Sequence, residues 1–130
     1  MSWQYRCSKC GSVVNPGGMV TLVAINGGAQ MLVGFHPEPG NYELYKPPGA
    51  EFEQGETWDF FCPVCHTNLK AENNESLCEL IQVEDGVRKR LYFSRIAGER
   101  ATFVVRDDNE VEIHGDHSGR YDETVQWKKP

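Results

Sequence analysis

The chain has 130 residues, of which 39% are hydrophobic and 25% are charged, and its formal net charge is −6. These values are typical of an ordinary globular domain, and no apolar run is long enough to cross a membrane as a helix. The polar start of the chain also has no signal-peptide core, so we expect one domain over residues 1–130 in a reducing cytoplasm.

The first predicted element is a strand that ends in a pair of cysteines. Trp3, Tyr5 and Cys7 alternate at the strand period of two and therefore point to one face of the strand. Cys7-Ser8-Lys9-Cys10 is a C-x-x-C turn, and Gly11 after it is free to adopt a positive φ. Such a turn can present both sulfur atoms to one metal ion.

A hairpin and an irregular loop follow. The apolar runs at 19–25 and 30–35 flank Asn26-Gly27-Gly28, which is a strong signal for an antiparallel hairpin. Residues 36–49 contain two Pro/Gly clusters around a short strand predicted at 42–45. We interpret this Pro-rich loop, with His36 at its start, as a rigid connector, and a recognition surface is the alternative.

The first pattern is repeated in the middle of the chain. Trp58, Phe60 and Cys62 alternate as the first strand does, and Cys62-Pro63-Val64-Cys65 is a second C-x-x-C turn, followed by His66 in place of glycine. Four thiolates from two such turns complete a tetrahedral shell without an open position, which is typical of structural zinc. We therefore predict one structural Zn²⁺ bound by Cys7, Cys10, Cys62 and Cys65.

The paired motifs resemble the two knuckles of a zinc ribbon. From Phe61 onward the chain also resembles small uncharacterised bacterial proteins with a C-P-x-C knuckle, a resemblance that covers about half of the chain and implies no particular activity. Two alternatives for the cysteines are weaker. A redox-active pair belongs at a strand–helix junction in a βαβ unit, and disulfide frameworks belong to small secreted chains. The fifth cysteine, Cys78, lies in an apolar run and is expected to be buried and inert.

The second half of the chain predicts two further hairpins. Residues 77–83 and 87–93 flank the turn signal Asp85-Gly86, and residues 101–106 and 111–114 flank a polar turn. The strand at 77–83 is apolar on both faces, which suits the middle of a sheet, whereas the strand at 87–93 carries charges that suit an edge.

The predicted fold class is all-β. Residues 1–67 form the knuckles with a hairpin insert, residues 68–115 form a β-meander, and residues 116–130 form a polar tail.

Protein binding without catalysis is the function that we expect. The sequence contains no G-x-S-x-G elbow, P-loop or dinucleotide glycine fingerprint. His114, Asp116 and His117 carry metal-binding groups, but without a general-base motif we interpret them as a solvated strand end, and a small enzyme that uses them is a third possibility.

Nucleic-acid binding is the alternative function. It would use a basic stripe formed by Arg88, Lys89, Arg90 and Arg95, with Arg100 and Arg106 beyond them. The acidic net charge disfavours it, because a bound zinc with four thiolates lowers that charge to about −8 and repels phosphate. The sequence therefore favours a protein partner over a nucleic acid.

Overall fold

The computed structural model describes residues 3–49, 52–72, 74–106 and 110–118, and it confirms the predicted all-β fold class. Nine strands form two antiparallel sheets within these residues. In chain order they are β1 (Gln4–Cys7), β2 (Val20–Asn26), β3 (Ala29–Phe35), β4 (Leu44–Tyr45), β5 (Asp59–Phe61), β6 (Leu77–Glu84), β7 (Val87–Ser94), β8 (Thr102–Val105) and β9 (Val111–His114). One sheet has the strand order β1-β6-β7-β8-β9 and the other has the order β4-β3-β2-β5. Within the described ranges, no helix is long and apolar enough to span a membrane.

The hairpins form where the turn signals predict them. β2 and β3 pair as far as Asn26 and Ala29, and Gly27 between them has a φ of 57°. In the β6–β7 hairpin the two turn residues, Asp85 and Gly86, have φ angles of 51° and 79°. A type I′ turn requires a positive φ at both positions, which explains the Asp-Gly pair. β8 and β9 form the last predicted hairpin, although residues 107–109 of its turn and residues 119–130 of the predicted tail lie outside the described residues.

The prediction that residues 87–93 form an edge strand is wrong. β7 lies between β6 and β8, inside the five-stranded sheet. From Arg90 to Phe93 it pairs with both neighbours, but before Arg90 it pairs with β6 alone. The reason is that β8 has only four residues and ends with Val105 opposite Arg90, so Arg88 and Lys89 have no partner in β8. The charges therefore mark a strand that is an edge over half of its length.

The inner faces of the two sheets enclose the main core. Tyr5 and Leu80 enter it from the five-stranded sheet, and Leu22 and Phe60 enter it from the four-stranded sheet. Phe35, Phe60 and Phe93 form an aromatic triad, with ring centroids 5.6 or 5.7 Å apart in each pair. Phe60 is buried and Phe35 and Phe93 are partly buried, and aromatic pairs in edge-to-face contact stabilise a fold by about 0.5–1.5 kcal/mol beyond their burial, so this triad helps to join the two sheets.

The strand that precedes the first cysteine pair and the segment that follows the second pair both lie along one edge of β6. β1 runs antiparallel to β6 and ends with Cys7 opposite Leu80. The chain that follows the second cysteine pair continues along the same edge, with Lys70 opposite Cys78. This segment, residues 67–71, also pairs with β5 at Phe61, so it connects the edge of the four-stranded sheet to β6.

Candidate metal centre

The four predicted ligands lie together. The sulfur atoms of Cys7, Cys10, Cys62 and Cys65 all lie within 4.8 Å of one another, and none forms a disulfide. Cys7 Sγ is 3.8 Å from Cys65 Sγ, and Cys10 Sγ is 3.8 Å from Cys62 Sγ. In a tetrahedral site with Zn–S bonds of about 2.3 Å, neighbouring sulfur atoms are also about 3.8 Å apart. The cluster therefore has the dimensions of a four-sulfur metal site and could hold a metal ion.

The first knuckle, residues 7–12, is held by backbone hydrogen bonds. The Cys7 amide donates to the carbonyl of Ser12 at 2.9 Å, and the Gly11 amide donates to the carbonyl of Cys7 at 3.0 Å. The amides of Lys9 and Cys10 donate to Cys7 Sγ at 3.2 and 3.4 Å. N–H groups directed at a sulfur atom stabilise it as a thiolate, which is the form that binds a metal.

The second knuckle, residues 62–67, repeats these contacts. The Cys62 amide donates to the carbonyl of Thr67 at 3.1 Å, and the His66 amide donates to the carbonyl of Cys62 at 2.9 Å. The amides of Val64 and Cys65 lie 3.3 and 3.5 Å from Cys62 Sγ. The repeated motif in the sequence therefore gives a repeated structure.

Each knuckle closes on a residue in the left-handed region. Gly11 has a φ of 78°, and His66, at the same position of the second knuckle, has a φ of 62°. Glycine adopts this conformation freely, whereas histidine adopts it at a cost of about 1 kcal/mol or more. The contacts of the second knuckle therefore hold His66 in a conformation that its own preference opposes.

A hydroxyl side chain supports the second cysteine of each knuckle. Hydrogen bonds from Ser12 lower the pKa of Cys10 to about 6. The Thr67 hydroxyl lies 3.2 Å from Cys65 Sγ and lowers the pKa of that thiol. Sequence reasoning missed both residues, but the signal was present, since each hydroxyl stands two positions after the second cysteine of its pair.

The first cysteine of each knuckle is buried instead. Burial raises the pKa of Cys7 and raises that of Cys62 to about 12, because a thiolate loses its hydration there. A bound cation would supply the charge that these sulfur atoms need in order to ionise. The four protein sulfur atoms fill a tetrahedral shell, so no position remains for water or a substrate. The donor set thus fits a metal that stabilises the fold.

The aromatic side chains that precede each cysteine pair pack in the core beside the cysteine cluster. Tyr5, Trp58 and Phe60 are buried in the same core as Cys7 and Cys62. The alternation of large side chains before each cysteine pair therefore connects the metal centre directly to the core between the sheets.

Three members of the predicted basic stripe are adjacent on β7, in different surroundings. Arg88 is exposed, whereas Lys89 Nζ lies 3.4 Å from Glu84 Oε1. Arg90 Nη1 donates to the Tyr92 hydroxyl at 3.1 Å. The positive charge of this part of the surface is therefore partly neutralised.

Arg95, the fourth member of the stripe, connects the two sheets. Its Nε donates to the carbonyl of Trp58 at 3.0 Å, and its terminal nitrogens contact the carbonyl of Glu75 and the carboxylate of Asp59. Its side chain is only 11% exposed. Arg95 thus joins the end of β7 to β5.

The histidines have local partners. His114 Nε2 lies 2.6 Å from Glu112 Oε2, and His117 Nδ1 accepts a hydrogen bond from the Arg100 amide at 2.9 Å. Cys78 is fully buried, as expected, and burial raises its pKa to about 12. Across the described ranges, the four knuckle cysteines form the one group of three or more His, Cys, Asp or Glu side chains whose ligand atoms converge.

Comparisons with known proteins assign no family, since no family model, no curated protein and no solved structure matches the chain. The evidence for a metal centre is therefore the geometry of the chain itself.

Proposed function

We propose that this protein is a non-enzymatic zinc-ribbon protein that binds one structural Zn²⁺ and presents a surface to a partner protein. The observation that carries the zinc site is the convergence of four sulfur atoms at tetrahedral spacing, with two pairs 3.8 Å apart. Tetrahedral four-sulfur sites take zinc or iron. Zinc suits a closed structural site because it has no redox chemistry and tolerates the geometry that the protein imposes.

The position of the site explains why a metal is useful. β1 is the edge strand of one sheet and β5 is the edge strand of the other. One knuckle follows each of these strands, so a shared ion ties the two edges together. Residues 67–71 and Arg95 also link the two sheets, and the ion would add a bond between the knuckles whose binding free energy contributes to folding.

Metal analysis of the purified protein tests the zinc site. We expect one zinc per chain, with loss of zinc in Cys62→Ala and full zinc content in the matched control Cys78→Ala, which changes a buried thiol outside the cluster. Iron at one per chain, or zinc that survives in Cys62→Ala, would contradict the proposal.

The partner surface that we propose is the outer face of the four-stranded sheet. Leu32 on β3, Val23 on β2 and Phe61 on β5 lie opposite one another across three strands, and Leu32 is 57% exposed. Beside this row, Gly34 of β3 lies opposite Tyr45 of β4. The Met19 thioether lies against Gly34, where any side chain would overlap it. We call this surface the apolar outer face; it consists of Met19, Val23, Leu32, Tyr45 and Phe61.

The chemistry of this face favours a different protein as the partner. An exposed apolar group of side chains is typical of protein-binding surfaces, and aromatic and Met side chains are enriched in them. Two copies of a chain with a net charge of −6 repel each other, so self-association is disfavoured. Nucleic acid would need a continuous group of cations, whereas Lys89 and Arg95 are paired with carboxylates.

Site-specific photo-crosslinking tests this surface. A photoreactive residue at position 32 should capture one protein from the native cell, and Tyr45→Asp should abolish the capture. The control is Val87→Asp, since Val87 is 52% exposed on the other sheet and its replacement should leave capture unchanged. Capture of a second copy of the chain, or oligonucleotide binding that is lost in an Arg88/Lys89/Arg90→Ala variant, would overturn the proposal.

A further inference from the structure

The space between the two sheets is incompletely filled. A cavity of about 450 Å³ lies between their inner faces, and the four cysteines are not among its lining residues. The cavity is partly open to solvent, and its volume lies in the range of about 300–1,000 Å³ that small-molecule sites occupy. We call it the intersheet cavity.

The walls of the intersheet cavity are aromatic. The triad of Phe35, Phe60 and Phe93 lines it from both sheets, and Trp58 adds a fourth ring. Phenylalanine edges and faces at these spacings pack well against a flat ring, because their quadrupoles favour edge-to-face and offset contacts. These walls therefore favour a planar apolar group.

One wall is the Pro-rich loop, and two tyrosines hold it in place. The Tyr5 hydroxyl donates to the carbonyl of Pro37, and it accepts a hydrogen bond from Gln82 Nε2 at 3.0 Å. The Tyr42 hydroxyl lies 2.9 Å from Thr102 Oγ1. The loop is thus fixed to the five-stranded sheet. A preformed wall reduces the entropy that ligand binding would cost.

The rim of the intersheet cavity carries a cation that is available to a ligand. Arg100 lines the cavity, and its guanidinium lies 5.9 Å from the centre of the Tyr42 ring. No carboxylate in the described part of the chain forms a salt bridge with Arg100, whereas Arg95 nearby is paired with Asp59. The Glu99 carboxylate accepts a hydrogen bond from the Ser94 hydroxyl at 2.6 Å, and Glu38 also lines the cavity. Glu43 lies with Glu38 and Arg100 around a second pocket beside Tyr42. These acids disfavour a polyanion, so a single negative charge at Arg100 is the better match.

We infer that the intersheet cavity binds a small aromatic monocarboxylate, with its ring packed against the phenylalanine wall and its carboxylate at Arg100. Arginine suits this role because its planar fork of N–H donors matches the two oxygens of a carboxylate. This inference goes beyond the proposed zinc and protein-binding functions and involves none of their residues.

Three matched probes test the inference on the zinc-loaded protein. Naphthalene-2-carboxylate, neutral 2-naphthylmethanol and cationic 2-naphthylmethylammonium share a ring system and differ in charge. Isothermal titration should show one saturable site, with the carboxylate bound about tenfold more tightly than the neutral probe because of a charge-assisted hydrogen bond. The cationic probe should bind most weakly.

Two variants locate the site. Arg100→Gln should lower the affinity for the carboxylate about tenfold, to that of the neutral probe, while Arg88→Gln, at an exposed position outside the cavity, should change neither. Leu44→Trp, which adds volume to the cavity wall, should abolish binding of all probes, while Val87→Trp, at an exposed position of the other sheet outside the cavity, should not.

An amide chemical-shift map of the wild-type protein keeps the test decisive if Leu44→Trp does not fold. Shifts confined to Phe35, Leu44 and residues 94–102 support the inference. Shifts on the apolar outer face alone, equal affinity for the three probes, absence of saturable binding, or an Arg100→Gln variant that keeps its preference for the carboxylate would overturn it.

Discussion

The hydroxyl groups beside Cys10 and Cys65 are the residues at which metal affinity can be changed without touching a ligand. Thr67→Val keeps the shape of the side chain but removes the hydroxyl that lies 3.2 Å from Cys65 Sγ. We expect zinc affinity to fall about tenfold, since loss of a hydrogen bond to a ligand commonly costs 10–100-fold. Competition with a chromophoric chelator measures this change.

The matched control for that prediction is Thr21→Val, the same replacement at a position in β2 away from the knuckles. Thr21→Val should keep the wild-type affinity. If Thr67→Val binds zinc as tightly as wild type, the hydroxyl does not support the thiolate.

The hydroxyl of Tyr5 gives a pH-dependent prediction. Burial raises the pKa of Tyr5 to about 12, above the ordinary value of about 10, so the folded protein favours the neutral form. The stability that this group contributes is fully present below about pH 10 and is lost as the pH rises through about 12. Tyr5→Phe should be less stable at neutral pH by about 1–3 kcal/mol, because Gln82 and the carbonyl of Pro37 lose their partner.

The difference in the free energy of unfolding between wild type and Tyr5→Phe should shrink between about pH 10 and pH 12, since only the wild-type protein carries the tyrosine that ionises there. Urea unfolding of both proteins across this range measures the difference. The buried groups Cys78 and Tyr92, whose pKa values are also raised to about 12, are present in both proteins and cancel in the comparison. A deficit that is constant up to pH 12 would show that Tyr5 is not the group involved.

Between the strands, Arg95 is the side chain that ties one element to another. Arg95→Met removes the donors that hold β7 to the carbonyls of Trp58 and Glu75 and to Asp59. We expect a loss of about 2 kcal/mol, less than for a fully buried pair, because the Asp59 side chain is 42% exposed and can be solvated. The exposed neighbour Arg88, changed to Met, should alter stability by no more than about 0.5 kcal/mol. Equal effects of the two changes on the urea midpoint would contradict this role.

The elements that could be predicted from the sequence are those set by neighbouring residues. Asp85-Gly86 and Gly27 determine tight turns, so the register of the strands on either side is set by nearby residues. The pairing of β1 with β6 could not be predicted, because it joins distant parts of the chain and no local signal encodes it. The position of β7 was mistaken for the same reason, since it depends on the length of β8.

The candidate site also has parts that the sequence predicts and parts that it does not. The four cysteines could be predicted because the repeated C-x-x-C motif fixes each half of the site locally. The inward turn of Arg95 and the intersheet cavity could not, because both depend on how the two sheets face each other.

At the scale of the whole molecule, the cysteine cluster and the core between the sheets are connected to the same strands. The two knuckles hold β1 and β5, at the edges of different sheets, and the aromatic triad joins the inner faces of those sheets. Without a metal, Cys7 and Cys62 favour the protonated form because burial raises the pKa of each thiol, and no ion then binds the four sulfur atoms together. Removal of zinc should therefore weaken the joint between the sheets as well as the knuckles.

Chelation of zinc tests this coupling. The apparent binding free energy of zinc at structural sites is about 10–16 kcal/mol. The free energy of unfolding of a typical domain is of similar size, about 5–15 kcal/mol. We expect the metal-free protein to lose amide protection in β1, β5 and residues 67–71 together with the inner strands β3 and β7, and to regain it when zinc is added. Hydrogen exchange followed by mass spectrometry measures each segment, with Cys78→Ala in zinc as the control for loss of a buried thiol outside the site. If β3 and β7 keep their protection while only the knuckles exchange, the ion organises its own ligands and does not hold the sheets together.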